Sequence, residues 1–86
     1  MLKITYHGHS AFEINTGTYN ILIDPFFTYN KNAKVKPSDI KADYILLSHA
    51  HADHLGDTLE IAKNNELTVI AAHELSEYLN TKGLKT

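Results

Sequence analysis

Polar and apolar residues alternate at the start of the chain. Leu2, Ile4 and Tyr6 alternate with Lys3 and Thr5, which predicts a short strand over 1–7 that Gly8 interrupts. Alternation resumes from Ser10 to Asn15, with Ala11 between Ser10 and Phe12 out of phase, so a second strand is expected there. Thr16-Gly17-Thr18 reads as a tight turn in which Gly17 supplies the positive φ. Tyr19 to Asp24 follows as a third strand around the apolar run Ile21-Leu22-Ile23. The pattern up to Asp24 therefore predicts an antiparallel meander.

Pro25 ends that strand, because it has no N–H to donate to a ladder. Phe26 to Lys41 reads as a loop, with a single helical turn at Pro37-Ser38-Asp39. Tyr44 to Ser48 is apolar without alternation until its last residue, which predicts a strand covered on both faces. Asp57 is expected to cap a helix that buries Leu59, Ile61 and Ala62 and ends at Asn64-Asn65. A strand over Thr68 to Ala71 and a helix over Glu74 to Lys82 follow, the helix burying Leu75, Tyr78 and Leu79. Gly83 stands where a helix-ending glycine belongs. From Tyr44 onward the order is strand, helix, strand, helix, the signature of parallel crossover. The expected fold class is α/β: a meander, then strand-helix-strand-helix, in a sheet whose open edges read as part of a larger fold.

Composition narrows the function. The 86 residues hold 8 lysines, no arginine and 10 acidic residues, a formal charge of −2. Without clustered positive charge a nucleic-acid partner is not expected. No cysteine is present, which removes disulfides, thiolate metal sites and cysteine nucleophiles together. No run approaches the ~18 apolar residues of a membrane span, and the first residues lack a signal-peptide core, so a cytoplasmic protein with no membrane partner is the expectation. Histidine is the outlier. Three of the 6 histidines lie between Ser48 and Leu55.

That stretch, Ser48-His49-Ala50-His51-Ala52-Asp53-His54-Leu55-Gly56-Asp57, carries four potential metal ligands: His49, His51, Asp53 and His54. They follow the carboxyl end of a predicted buried strand, where open α/β sheets place their ligands. In extended backbone, His49 and His51 point the same way and can share one ion. The turn into the next helix can swing Asp53 and His54 toward a second. Nitrogen with carboxylate oxygen suits Zn²⁺, and also Mn²⁺, Fe²⁺ or Ni²⁺. His7 and His9, on either side of Gly8, are candidates to line the cleft. Ser10 and Ser48 have no base at a recognisable spacing, so serine chemistry is not indicated.

The pattern His49-x-His51-x-Asp53-His54 after an apolar strand resembles the signature of the metallo-β-lactamase superfamily. Tyr6-His7-Gly8-His9-Ser10 and Ile21-Leu22-Ile23-Asp24-Pro25-Phe26 are similar to its bacterial metal-dependent hydrolases, the branch that includes ascorbate-6-phosphate lactonase. The resemblance runs along the whole chain but spans only the N-terminal part of such a domain, so 1–86 is expected to be a partial domain. It implies a four-layer αββα sandwich with one or two divalent ions at one edge, Zn²⁺ or Mn²⁺ foremost. It further implies that His49 and His51 bind the first ion, that Asp53 and His54 serve the second, and that Asp53 orients an attacking hydroxide. Asp24 would support the loop from behind. The reaction class would be attack by metal-bound hydroxide on an ester, lactone or phosphodiester of a small-molecule substrate.

The family's remaining ligands lie in its C-terminal part, and no residue after Asp57 except His73 offers a substitute. Weak metal affinity and little hydrolysis are therefore expected of this chain alone. Two alternatives stand beside the hydrolase: a nuclease fragment of the same superfamily, and a non-enzymatic half-domain that dimerises through an open sheet edge. Either the missing C-terminal half or a second copy is the expected protein partner.

Overall fold

A computed structural model describes residues 2–86. Five strands form one sheet in sequence order: β1 (Lys3–Gly8), β2 (Ala11–Asn15), β3 (Asn20–Ile23), β4 (Tyr44–Leu46) and β5 (Thr68–Ile70). The pairs β1–β2 and β2–β3 are antiparallel, and β3–β4 and β4–β5 are parallel. The meander and the β4–β5 crossover are as expected; the parallel pairing of β3 with β4, through the loop before Tyr44, is an addition. Met1, which opens the first predicted strand, lies outside the described residues. Helix α1 (Ala52–Leu55) is a single turn inside the histidine-rich stretch, where no separate helix was expected. Helices α2 (Thr58–Asn65) and α3 (His73–Thr81) fall within a residue or so of their predicted bounds, and a 3₁₀ turn occupies Pro37–Asp39. No helix among the described residues is long and apolar enough to cross a membrane.

The register sorts the sheet's two faces. Leu22, Ile45 and Val69 lie abreast across β3, β4 and β5, fully buried with Ile61 and Ala62 of α2 and Leu75 and Leu79 of α3. The opposite face is also apolar: Ile4 pairs with Ile14, Tyr6 with Phe12, Phe12 with Ile23, Ile23 with Leu46 and Leu46 with Ile70. Yet Ile4, Tyr6 and Ile70 are more than half exposed there. β4 is thus buried on one face only, contrary to the expectation from its unbroken apolar run. Apolar sequence records what a face is made for, not whether something covers it.

Two local expectations are also corrected. Tyr78 is half exposed rather than buried, with the Lys82 ammonium 5.5 Å from its ring centroid, because Leu75 and Leu79 alone fill the core-facing stripe of α3. Asp57 precedes α2 but makes no capping bond with its side chain. Its carboxylate instead accepts from Phe27 N (2.8 Å), Thr28 N (2.9 Å) and Thr28 Oγ1 (2.6 Å). The loop after β3 is thereby clamped to the end of the histidine-rich stretch. Gly56 permits the close approach: a Cβ there would stand 2.5 Å from Pro25 O, and its φ of 51° is one that L-residues rarely adopt.

Candidate metal centre

The site lies where β3 and β4 end side by side. Parallel pairing of Ile23 with Leu46 brings the next residues, Asp24 and Leu47-Ser48, into register. Asp24 turns there with φ 46° and is buried. Its Oδ1 accepts from Ser48 N at 2.7 Å, and its Oδ2 accepts from Ser48 Oγ at 2.6 Å and from His54 Nδ1 at 2.9 Å. Burial pushes the Asp24 carboxyl up, but bonds from the Ser48 hydroxyl and amide and from His54 outweigh it, so its pKa falls below the ordinary 3.8. Asp24 is therefore an acceptor only.

That assignment fixes the neighbouring rings. His54 must carry its proton on Nδ1 to donate to Asp24. Ser48 gives its one hydrogen to Asp24, so its contact with His49 Nδ1, at 2.8 Å, is one in which His49 donates. Both imidazoles are consequently held with Nδ1–H bonded behind them, so that in the neutral ring the Nε2 lone pair faces forward. This is how backing groups orient histidines that bind metals. The His49 ring lies 3.9 Å from that of His54 and 4.5 Å from that of His51, centroid to centroid. His51 opens α1, and the single helical turn brings Asp53 Oδ1 to 3.8 Å from His54 Nε2. Two ligands of one tetrahedral ion stand about 3.4 Å apart, from bond lengths of about 2.1 Å. The donors of Asp53 and His54 thus fit a divalent ion.

His9 joins the group from the other side of the sheet edge. Its Nε2 is 3.0 Å from Asp53 Oδ2, and its ring stands edge-on to His54 (5.2 Å) and Phe26 (5.5 Å). Among the described residues, the set of three ligand atoms within 4.8 Å of one another belongs to His9, Asp53 and His54. His7 is not brought to this group. A register shift after Tyr6, then left-handed backbone at Gly8 and His9, separates the two histidines. His7 is buried against Phe27, with Nε2 2.8 Å from Glu13 Oε1. His73 is exposed at the start of α3, paired with Glu77 at 2.9 Å.

Sequence reasoning missed two residues that organise the site. Ser48 links Asp24 to His49, and Asp57 fastens the Phe27-Thr28 backbone. Spacing does not reveal either role, since Asp24 lies 24 positions from Ser48 and Phe27 lies 30 from Asp57. Beside His49, an open pocket of about 510 Å³ runs between the β4 end and α3, lined by Leu55, Leu75 and Tyr78.

Comparison with known proteins identifies relatives of the chain. A UPF0173 metal-dependent hydrolase of Bacillus pumilus is 58% identical over 85 residues, covering 99% of this chain and 37% of the relative. A UPF0173 metal-dependent hydrolase of Archaeoglobus fulgidus is 53% identical over 85 residues, covering 99% of this chain and 36% of the relative. Among solved structures, Igni18, a metallo hydrolase of the archaeon Ignicoccus hospitalis, superposes with a TM-score of 0.89 at 36% identity, covering 98% of this chain and 37% of that one. The chain thus spans little more than a third of the length of the relatives it matches. A family described as the beta-lactamase superfamily domain matches residues 3–85, and the chain belongs to that superfamily.

Proposed function

We propose that the chain supplies the first ligand loop of a cytoplasmic metal-dependent hydrolase, acting on an ester, lactone or phosphodiester of a small molecule. One observation carries the reading: the Asp24–Ser48 network takes up Nδ1 of both His49 and His54, which leaves Nε2 of each neutral ring to face an ion. His49, His51, Asp53 and His54 would hold one or two divalent ions, with Zn²⁺ or Mn²⁺ the leading choices. When bound, such an ion supplies Lewis acidity and activates water at neutral pH. Asp24 and Ser48 fix two of the rings in advance, and Asp53, half exposed, is available to orient an attacking water.

In this reading, 1–86 is the N-terminal part of a metallo-β-lactamase-like domain. The apolar sheet face opposite the helices is the surface on which the remainder would pack. Relatives nearly three times as long support that division. The reading is tested by titrating the metal-free chain with Zn²⁺ and Mn²⁺ beside the variants His49→Ala and His54→Ala. Saturable binding that each variant weakens at least about tenfold is expected. Binding indifferent to both substitutions would overturn it.

A further inference from the structure

His9 stands outside the histidine-rich loop, yet its position is tightly determined. It follows Gly8 at the β1–β2 turn and holds a φ of 56°, a conformation uncommon for a non-glycine residue. Two contacts hold it: Tyr6 Oη donates to His9 O at 2.7 Å, and Asn30 Nδ2 donates to Gly8 O at 3.1 Å. The same Asn30 nitrogen donates to Phe26 O at 2.9 Å, which ties the turn to the loop after β3. A Cβ on Gly8 would stand 2.5 Å from Asn32 Cβ, so the loop after β3 sits directly on the turn. The result is an imidazole aimed across the sheet edge at Asp53.

We propose that His9 is a positioning residue for Asp53. An ionised carboxylate only accepts, so the contact at 3.0 Å is His9 Nε2–H donating to Asp53 Oδ2. With Oδ2 occupied, Asp53 presents Oδ1, the oxygen that lies 3.8 Å from His54 Nε2. His9 therefore selects which carboxylate oxygen faces the ion and stops the side chain from rotating away. Asp53 needs such a partner, because it is half exposed on a one-turn helix and otherwise free to choose among rotamers. The inference rests on the proposed ion site.

The test uses Zn²⁺ as probe with His9→Ala, His9→Gln, Asp53→Ala and the double variant His9→Ala/Asp53→Ala. Alanine and glutamine bear the same backbone strain at φ 56°, so their comparison isolates the side-chain hydrogen bond. His9→Ala should weaken Zn²⁺ about tenfold, a typical loss for an orienting partner. His9→Gln, whose amide can still donate, should stay within about threefold of wild type, and the double variant should bind no worse than Asp53→Ala. Unchanged affinity in His9→Ala alongside weakened Asp53→Ala overturns the inference and leaves the ion site standing. Glutamine as damaging as alanine overturns it in favour of direct ligation by His9. If Asp53→Ala binds Zn²⁺ normally, the ion-site reading fails instead. A metal-free measurement then still judges the pair: long-range ¹H–¹⁵N spectra should show His9 protonated at Nε2 in wild type and a mixed tautomer in Asp53→Ala. An unprotonated Nε2 in wild type overturns the inference.

Discussion

Ser48 and Asp24, 24 positions apart, are joined twice: the Ser48 amide donates to one carboxylate oxygen and the Ser48 hydroxyl to the other. This pair of hydrogen bonds makes Ser48 the relay through which Asp24 orients His49.

Ser48→Ala should therefore act beyond its own hydroxyl. It removes the bonds to Asp24 Oδ2 and His49 Nδ1 while leaving the backbone bond and the His54 bond intact. The expected stability loss is about 1 kcal/mol, measured by urea unfolding of the metal-free chain. Asp24→Asn should cost more, about 2 kcal/mol, because an amide nitrogen then faces donors within a buried site. Equal losses would mean that the carboxylate is not the hub.

Acid should expose the same network. The native pKa of Asp24 lies below its ordinary value, so its contribution to stability is fully present above that value and is lost as pH falls through the lowered native one. The difference in unfolding free energy between wild type and Asp24→Asn should hold steady above about pH 5 and shrink below about pH 4. A difference that grows on acidification would contradict the geometry.

Two glycines should respond very differently to alanine. Gly56 is pressed against Pro25 and Phe26, with backbone atoms 2.5 to 2.9 Å from where a Cβ would sit. Gly83 has nothing within 4 Å, and it ends α3 with Leu84 N bonding to Leu79 O and Gly83 N to Asn80 O. Gly83→Ala should cost about 1 kcal/mol for its positive φ alone. Gly56→Ala should cost more than about 2 kcal/mol and loosen the ligand loop. Thermal unfolding of both variants checks the order.

The chain in isolation should self-associate through its bare sheet face. Ile4, Tyr6 and Ile70 expose an apolar surface continuous across the strands, which water disfavours. Sedimentation at tens of micromolar should show species heavier than 9.7 kDa, and the variants Ile4→Lys and Ile70→Lys should shift them toward monomer. A wild-type monomer at those concentrations would show the face to be tolerated in water.

Much of this was readable from residue order, because strand and helix periods are local properties. The meander, the crossover from β4 to β5 and α3's stripe at Leu75 and Leu79 follow from spacing alone. The clustering of His49, Asp53 and His54 is local too. What spacing does not carry is partnership across the fold. Asp57 looks like a helix cap until Thr28 arrives beside it, and His7 and His9 look equivalent until the shift after Tyr6 separates them. Nor does an apolar run at β4 say how many faces are covered.

The parallel pairing of β3 with β4 has a kinetic consequence. Asp24 meets Ser48 and His54 only after the loop between Asp24 and Tyr44 has closed, a non-local step whose entropy is lost before any contact rewards it. Until then the chain offers three imidazoles and a carboxylate as a floppy chelator with no tautomer imposed. Once the strands zip, the same atoms become a rigid half-socket. In the proposed ion site, oriented ligation would thus have to wait for the sheet to close.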